Sequence, residues 1–258
     1  MIQHYPLLVY LYDGSYQGLL SCVFESFLHK ELPTAIVAEQ ETQLSLMPAR
    51  LISTTPEYAK RVANSLHHRL GAAVSEFFQL AFLTCLPDKE LTMVQFLHLA
   101  FEQGPGVLQL LTNQTVHTLS RAILHLNNET HLLKGFIRFS DYHRFLVTTI
   151  HPKNYVLPLL APHFCDRFAG ESFLIYDENH NMALFHRPTH TEIIPLEELM
   201  LEAPDPEEQK YRALWQAYYQ SIAIKARYNP KCRMSHMPKR YWSDMTEFAQ
   251  TNMTPEMP

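Results

Sequence analysis

Gly135-Phe136-Ile137-Arg138-Phe139-Ser140-Asp141-Tyr142-His143-Arg144-Phe145-Leu146-Val147-Thr148-Thr149-Ile150 is the stretch on which the fold class turns. Before it, apolar residues recur at helical spacing. Here aromatic and β-branched residues crowd together, which predicts strands over 136–139 and 145–150 joined by a hairpin at 140–143. Downstream, 153–169 reads as a helix broken or kinked at Pro158 and Pro162. A second hairpin follows, 173–176 and 182–186, turning through Glu178-Asn179-His180-Asn181. The centre therefore reads as an antiparallel β-β-α-β-β unit, and the chain as α+β.

Upstream, Leu7-Leu8-Val9-Tyr10-Leu11 predicts a strand that stops at Asp13-Gly14, a turn dipeptide. Ser15 is placed to cap the next helix, whose Leu20, Val23, Phe24 and Phe27 fall on one face. Residues 49–53 are a second candidate strand, and Thr55-Pro56-Glu57 starts a helix with proline at its first position. Helical patterns continue over 56–69, 71–85, 89–103 and 115–133, the last with a stripe of Leu119, Ile123 and Leu126. Near the other end, Asp205-Pro206-Glu207-Glu208 combines an N-cap, proline at N1 and glutamate at N3. The helix it opens carries Tyr211, Leu214, Trp215, Tyr218 and Ile222 on one face and stops before Pro230. Beyond lies an extended tail without a period. The expected organisation is one compact unit over 1–250: a mostly helical part to about 134, a β-rich part to about 204, then the helix and basic tail, with 251–258 frayed.

Length and composition narrow the function. At 258 residues the chain can bury a sizeable core, and its 47% hydrophobic and 18% charged content is that of a globular protein. Only 7 residues are glycine. Neither a phosphate-loop motif nor a dinucleotide-binding G-x-G-x-x-G occurs. Gly104-Pro105-Gly106 lacks a third glycine and follows a helical pattern. No apolar run reaches the roughly 18–20 residues of a membrane span, and no signal-peptide pattern opens the chain. Cys22, Cys85, Cys165 and Cys232 stand far apart, against a disulfide framework and for a reducing cytoplasm. In that compartment the N-x-[ST] matches, such as Asn113-Gln114-Thr115, are chance.

The net charge is −5 but unevenly spread. Residues 191–209 hold seven acids and no Lys or Arg, whereas 225–242 hold Lys225, Arg227, Lys231, Arg233, Lys239 and Arg240 and no acid. Cations interleaved with Tyr241 and Trp242 suit nucleic acid, since Lys and Arg neutralise phosphates and aromatic rings stack on bases. The same tail could instead pack on the acidic segment.

His163 and Arg167 share a helix face at i, i+4, with Asp166 one step away. Together they could serve as base, orienting carboxylate and anion clamp, or form a surface ion pair beside Phe164 and Phe168. Arg138, on an otherwise apolar strand, either has a partner, faces a site or is simply solvent-exposed. Asp13 is first a turn residue. Cys232 and His236 have C-x3-H spacing, yet no second ligand pair lies near in sequence, so no metal is expected. His29-Lys30-Glu31 and His190-Thr191-Glu192 lack the P-C-x-x-C that zinc deamination requires.

The ordered set of Tyr12-Asp13-Gly14-Ser15-Tyr16-Gln17-Gly18, Val23-Phe24-Glu25, Glu129-x-His131, Gly135-Phe136-x-Arg138-Phe139, His151-Pro152, Val156 to Phe164, Asp166-Arg167-Phe168, Leu174 to Glu178, Arg227-x-Asn229-Pro230-Lys231-Cys232 and His236 to Trp242 resembles a bacterial family of probable DNA metabolism proteins, a domain of unknown function. It covers about residues 5–248. The resemblance implies DNA repair or modification beside a radical SAM protein, and likeness to a domain fused to uracil-DNA glycosylase-like proteins. It implies no reaction. Any iron–sulfur cluster and S-adenosylmethionine would belong to the partner, because this chain lacks C-x3-C-x2-C. Three readings follow. In the first, an accessory protein holds DNA phosphates with the tail cations and stacks Tyr241 or Trp242 on a base. In the second, a metal-independent hydrolase or glycosylase-like enzyme uses His163, Asp166 and Arg167, with Arg138 in the same polar pocket. In the third, an adaptor docks the radical SAM partner without touching DNA.

Overall fold

A computed structural model describes residues 3–4, 8–39, 47–201, 203–204 and 206–248. The protein is α+β. Its internal contacts separate two compact units, Met1–Leu126 and Asn127–Pro258, dividing ahead of the change of character at Gly135.

The first unit opens with β1 (Gln3–His4), β2 (Val9–Tyr12) and α1 (Tyr16–His29), followed by β3 (Glu31–Leu32), β4 (Ala35–Ala38) and β5 (Ala49–Leu51). The predicted start of α1 is present: the Ser15 hydroxyl accepts from the Gly18 N–H, satisfying one of the amides a helix start leaves open. β2 is the middle strand of a parallel sheet ordered β4-β2-β5. β4 is absent from the sequence reading because Ala35-Ile36-Val37-Ala38 is too short to show a period. The rest is α2 (Pro56–Ser65), a π-helical turn (Leu66–Leu70), α3 (Ala72–Phe82), α4 (Lys89–Gln103), a 3-10 stretch (Gly104–Gln109) and the first part of α5 (Gln114–Phe136), whose residues from Asn127 on belong to the second unit. Asn113, which opens a sequon by pattern, caps α5 by accepting from the Thr115 and Val116 amides. The core joins Tyr10, Leu19, Val23, Phe78, Phe96 and Leu97.

The second unit contains β6 (Ser140–Asp141), β7 (Phe145–Ile150), α6 (Leu157–Arg167), β8 (Ser172–Asp177), β9 (Met182–Arg187) and β10 (His190–Pro195) in one sheet ordered β10-β9-β8-β7-β6. Three expectations are corrected. Residues 136–139 are not a strand: α5 runs on to Phe136, and the hairpin partner of β7 shrinks to Ser140–Asp141. The sheet is mixed, because β7 and β8 pair in parallel. A helix between neighbouring strands returns the chain to its starting end, which only a parallel pair permits. β10, a strand the sequence does not announce, takes in the start of the acidic segment, and as an edge strand it tolerates the charge of Glu192. α6 starts at Leu157 and continues through Pro162.

Beyond the sheet come α7 (Pro206–Ser221), a 3-10 turn (Lys225–Arg227), α8 (Pro230–His236) and a last 3-10 segment (Lys239–Asp244). The tail is thus helical and not extended. Asn229 caps α8 through the Cys232 amide. The expected Asp205 cap, Leu7 and the end 251–258 lie outside the described residues. No helix among the described residues is long and apolar enough to cross a membrane.

Candidate functional site

The parallel register of β7 and β8 sets Ile150 opposite Asp177. The next residues, His151 and Glu178, therefore leave the sheet side by side at the carboxyl ends of both strands, where open α/β arrangements place ligands. His151 Nε2 lies 2.5 Å from Glu178 Oε2, and its Nδ1 lies 3.0 Å from Asp244 Oδ1. Burial lowers the imidazole pKa, but hydrogen bonds and charge from Asp244 and Glu178 outweigh it and hold the pKa above the usual range. Carboxylate oxygens face both ring nitrogens, so the protonated ring donates from both and clamps two carboxylates.

The loop after His151 is fixed by a third carboxylate. Glu129, buried near the end of α5, accepts from the Lys153 amide at 3.2 Å, the Asn154 amide at 2.8 Å and the Asn154 side chain at 2.7 Å. It also accepts from the Tyr241 hydroxyl at 3.4 Å and pairs with Arg240 at 3.1 Å. Asp177 completes the rim: fully buried, it accepts from His180 Nδ1 at 2.7 Å and the His180 amide. Burial raises its pKa, with the His180 contacts opposing. Among the described residues no group of three or more His, Cys, Asp or Glu could hold a metal ion.

These contacts relocate several candidates. Tyr241 is 2% exposed and its pKa is pushed up to about 12 by burial and the Glu129 charge, so its ring belongs to the interior and has no open face for a base. Trp242 stacks on Phe248 at 4.6 Å and donates its indole N–H to the Met237 carbonyl. The Arg233 guanidinium lies over Trp242, Tyr228 and Phe248, with its Nε buried and unpartnered. Arg240 pairs with Glu129, while Arg227, Lys231 and Lys239 are exposed. The Lys225 side chain lies outside the described residues. Among the described residues no salt bridge joins 225–242 to the acidic 191–209 segment.

Arg138 has a partner that strand alternation could not reveal. Its Nη2 and Nε donate to Glu247 at 2.8 and 3.2 Å, and Nη1 donates to the Gly135 carbonyl. Glu247 also accepts the Trp215 indole N–H. Burial raises the Glu247 pKa, yet Trp215 and Arg138 hold it below the usual carboxylate range. Arg138 and Arg167 line one cavity of about 590 Å³ with Glu208, Arg212 and Trp215. His163 and Asp166 do not line it. His163 Nε2 is buried without a partner and its ring meets Phe164 edge-on, whereas Asp166 and Arg167 are exposed. No hydrogen bond among the described residues joins His163, Asp166 and Arg167, so the structure does not assemble them into a base–carboxylate pair.

The sequence reading missed His151, Asp244 and Glu247 as partners. His151 stood in the His151-Pro152 motif, but its carboxylates lie 27 and 93 residues away, beyond any spacing rule.

The clamp makes a pH-dependent contribution. A histidine pKa raised on folding stabilises fully below its unfolded value of about 6.5 and loses that contribution as pH rises through the folded value. The stability difference between the natural chain and His151→Gln should therefore be largest below about pH 6.5 and shrink above it. Urea midpoints across this range check the slope, and a difference that grows with pH contradicts the clamp.

The units and their site describe an α+β protein whose polar residues converge at the carboxyl ends of a parallel strand pair. A family model for a domain of unknown function, DUF4130, matches residues 87–247, more than half of the chain, and the chain belongs to that family. The match includes Glu129, His151, Glu178, Arg240 and Asp244. No curated protein and no solved structure matches the chain.

Proposed function

We propose that the chain is an accessory protein of DNA repair or modification that docks a radical SAM partner through α7. The observation that carries this reading is the face of α7 formed by Tyr211, Leu214 and Tyr218 and continued by Ile222 just past the helix end, each more than half exposed. The other side of the helix is held: Arg212 bonds Glu208 and Ser140, Trp215 bonds Glu247, and Gln216 bonds the Thr246 carbonyl. Contiguous apolar surface of this kind marks interaction sites, and a helix face with anchors at i, i+3, i+7 and i+11 suits an apolar groove. The resemblance to DNA metabolism proteins supplies the partner's class, and the cluster and S-adenosylmethionine chemistry would be the partner's. Exposed Arg227, Lys231 and Lys239, beside exposed Tyr228, favour DNA contact within the same complex.

The test is co-purification with the radical SAM protein. Leu214→Glu with Tyr218→Glu should abolish recovery of the partner while leaving circular dichroism and the melting temperature unchanged, because both side chains are exposed. Lys231→Glu with Lys239→Glu should keep the partner but weaken DNA affinity and flatten its salt dependence. Full recovery of the partner by the α7 variant overturns the docking surface.

A further inference from the structure

We propose a nucleotide-binding groove in the first unit, formed by α1, α2, the π-helical turn and α4, with Arg61 and Arg69 on a phosphate and Phe27 and Phe101 against a base. None of the readings above uses these residues, and the groove stands independently of the α7 surface.

A cavity of about 640 Å³ opens between these helices, within the usual size of a small-ligand site. Its cations are Lys30, Arg61 and Arg69, against the single carboxylate of Glu102. A neighbouring cavity shares Arg61, Ser65 and Arg69 and adds Lys60, His68 and Glu57. In a chain of net charge −5, this is a local excess of positive charge. Neither Arg61 nor Arg69 forms a salt bridge among the described residues, and both are exposed. Instead the Arg61 guanidinium lies 5.5 Å from the Phe24 ring centroid and that of Arg69 lies 5.1 Å from Phe101. An arginine supported on a ring keeps its N–H edges free, and that edge geometry matches a phosphate. The turn at 66–70, whose local π-helical winding recurs at functional sites, carries Arg69 into the groove.

The aromatic floor is equally specific. Phe27, partly exposed, stacks on His98 at 4.0 Å and 14°, with Phe101 edge-on at 5.3 Å. Burial, opposed by the Glu102 charge, holds the His98 pKa below the usual range and favours the neutral ring. Ser26 gives its only hydroxyl proton to the Glu31 carbonyl and therefore accepts from His98 Nε2–H at 2.6 Å. The His98 ring is thus locked flat beneath Phe27, and the pair forms a rigid uncharged platform. A phosphorylated sugar would leave this platform unused, and an acyl chain would leave the arginines unused. A nucleotide uses both, whether free or as one unit of a single strand. In duplex DNA the bases already stack on each other.

The probes are a fluorescein-labelled single-stranded deoxythymidine 12-mer, the matching duplex, dAMP and inorganic phosphate, each offered to the full chain. Single-strand binding or dAMP binding is expected. Arg61→Glu with Arg69→Glu should weaken it at least about tenfold, and Phe27→Ala by roughly 5- to 100-fold. Arg61 and Arg69 are exposed and Phe27 partly so, and circular dichroism should be unchanged. Displacement of the 12-mer by dAMP identifies a free nucleotide as sufficient. Binding of the 12-mer alone identifies a strand. Absence of both, equal affinity for inorganic phosphate, preference for duplex, or affinity untouched by the arginine pair overturns the groove. Lys231→Glu with Lys239→Glu is the internal control: an effect confined to that pair places the contact in the second unit and also overturns the groove.

Discussion

Glu129→Ala is expected to destabilise the second unit by about 3–5 kcal/mol, the range for breaking a buried ionic contact from one side. Removing this carboxylate deletes one acceptor shared by the Lys153 and Asn154 amides, the Asn154 side chain and the Tyr241 hydroxyl, and with it the charge facing Arg240. Glu129→Gln keeps the shape and one acceptor oxygen and should cost less, about 1–3 kcal/mol. Arg240→Ala should cost least, since Arg240 is partly exposed and water can replace its charge at the rim. Urea unfolding of the three variants, followed by the fluorescence of Trp215 and Trp242, gives the order. Glu129→Ala within about 1 kcal/mol of the natural chain would remove Glu129 from the centre of the network.

Gly18→Ala should also destabilise, against its intrinsic helix preference. Alanine within a helix is normally about 1 kcal/mol better than glycine. Here an added Cβ would meet Asp13 Oδ1 at 2.2 Å, with Thr54 Oγ1 and Tyr12 Cδ2 at 2.9 Å. Asp13 cannot swing away without loss, because it accepts from the Ser15 amide at 2.9 Å and the Thr54 hydroxyl at 2.7 Å. Burial raises its pKa, but these bonds hold it below the usual carboxylate range. The expected penalty is about 2–3 kcal/mol, as for other overpacked positions. Asp13→Ala in the same chain opens the nearest contact and should recover part of it. A double-mutant cycle in which the two changes simply add would show that Asp13 is not the obstacle.

The parts legible in the sequence are those decided by neighbours. Asp13-Gly14-Ser15 and Pro56 mark helix starts because turn and cap chemistry act over a few residues. The strands at 145–150, 172–177 and 182–187 were legible for the same reason. Their pairing is only partly so: density of β-branched residues does not state direction, and the expected antiparallel unit gives way to a parallel β7–β8 pair across the α6 crossover. Residues 136–139 have strand composition, but the helix begun at Gln114 continues to Phe136 and Arg138 is turned toward Glu247. On α7 the apolar period groups Trp215 with Tyr211, Leu214 and Tyr218, but the Trp215 indole is turned to Glu247 while the other three are exposed. Periodicity tells which residues share a face and nothing of what covers it. The site was least legible, because the partners of Glu129 and His151 are assembled from segments about a hundred residues apart.

Those separations have a consequence for how the protein is made. Glu129 meets Tyr241 across 112 residues, Arg138 meets Glu247 across 109, and His151 meets Asp244 across 93. Contacts this distant form late, after shorter loops have closed. On the ribosome, where folding follows synthesis from the N-terminal side, Glu129 on α5 and His151 at the end of β7 are made before Arg240 and Asp244 have been translated. The segment 239–247 then acts as a final fastening, and a nascent chain arrested short of it presents a loosened second unit that proteases can tell from the finished one.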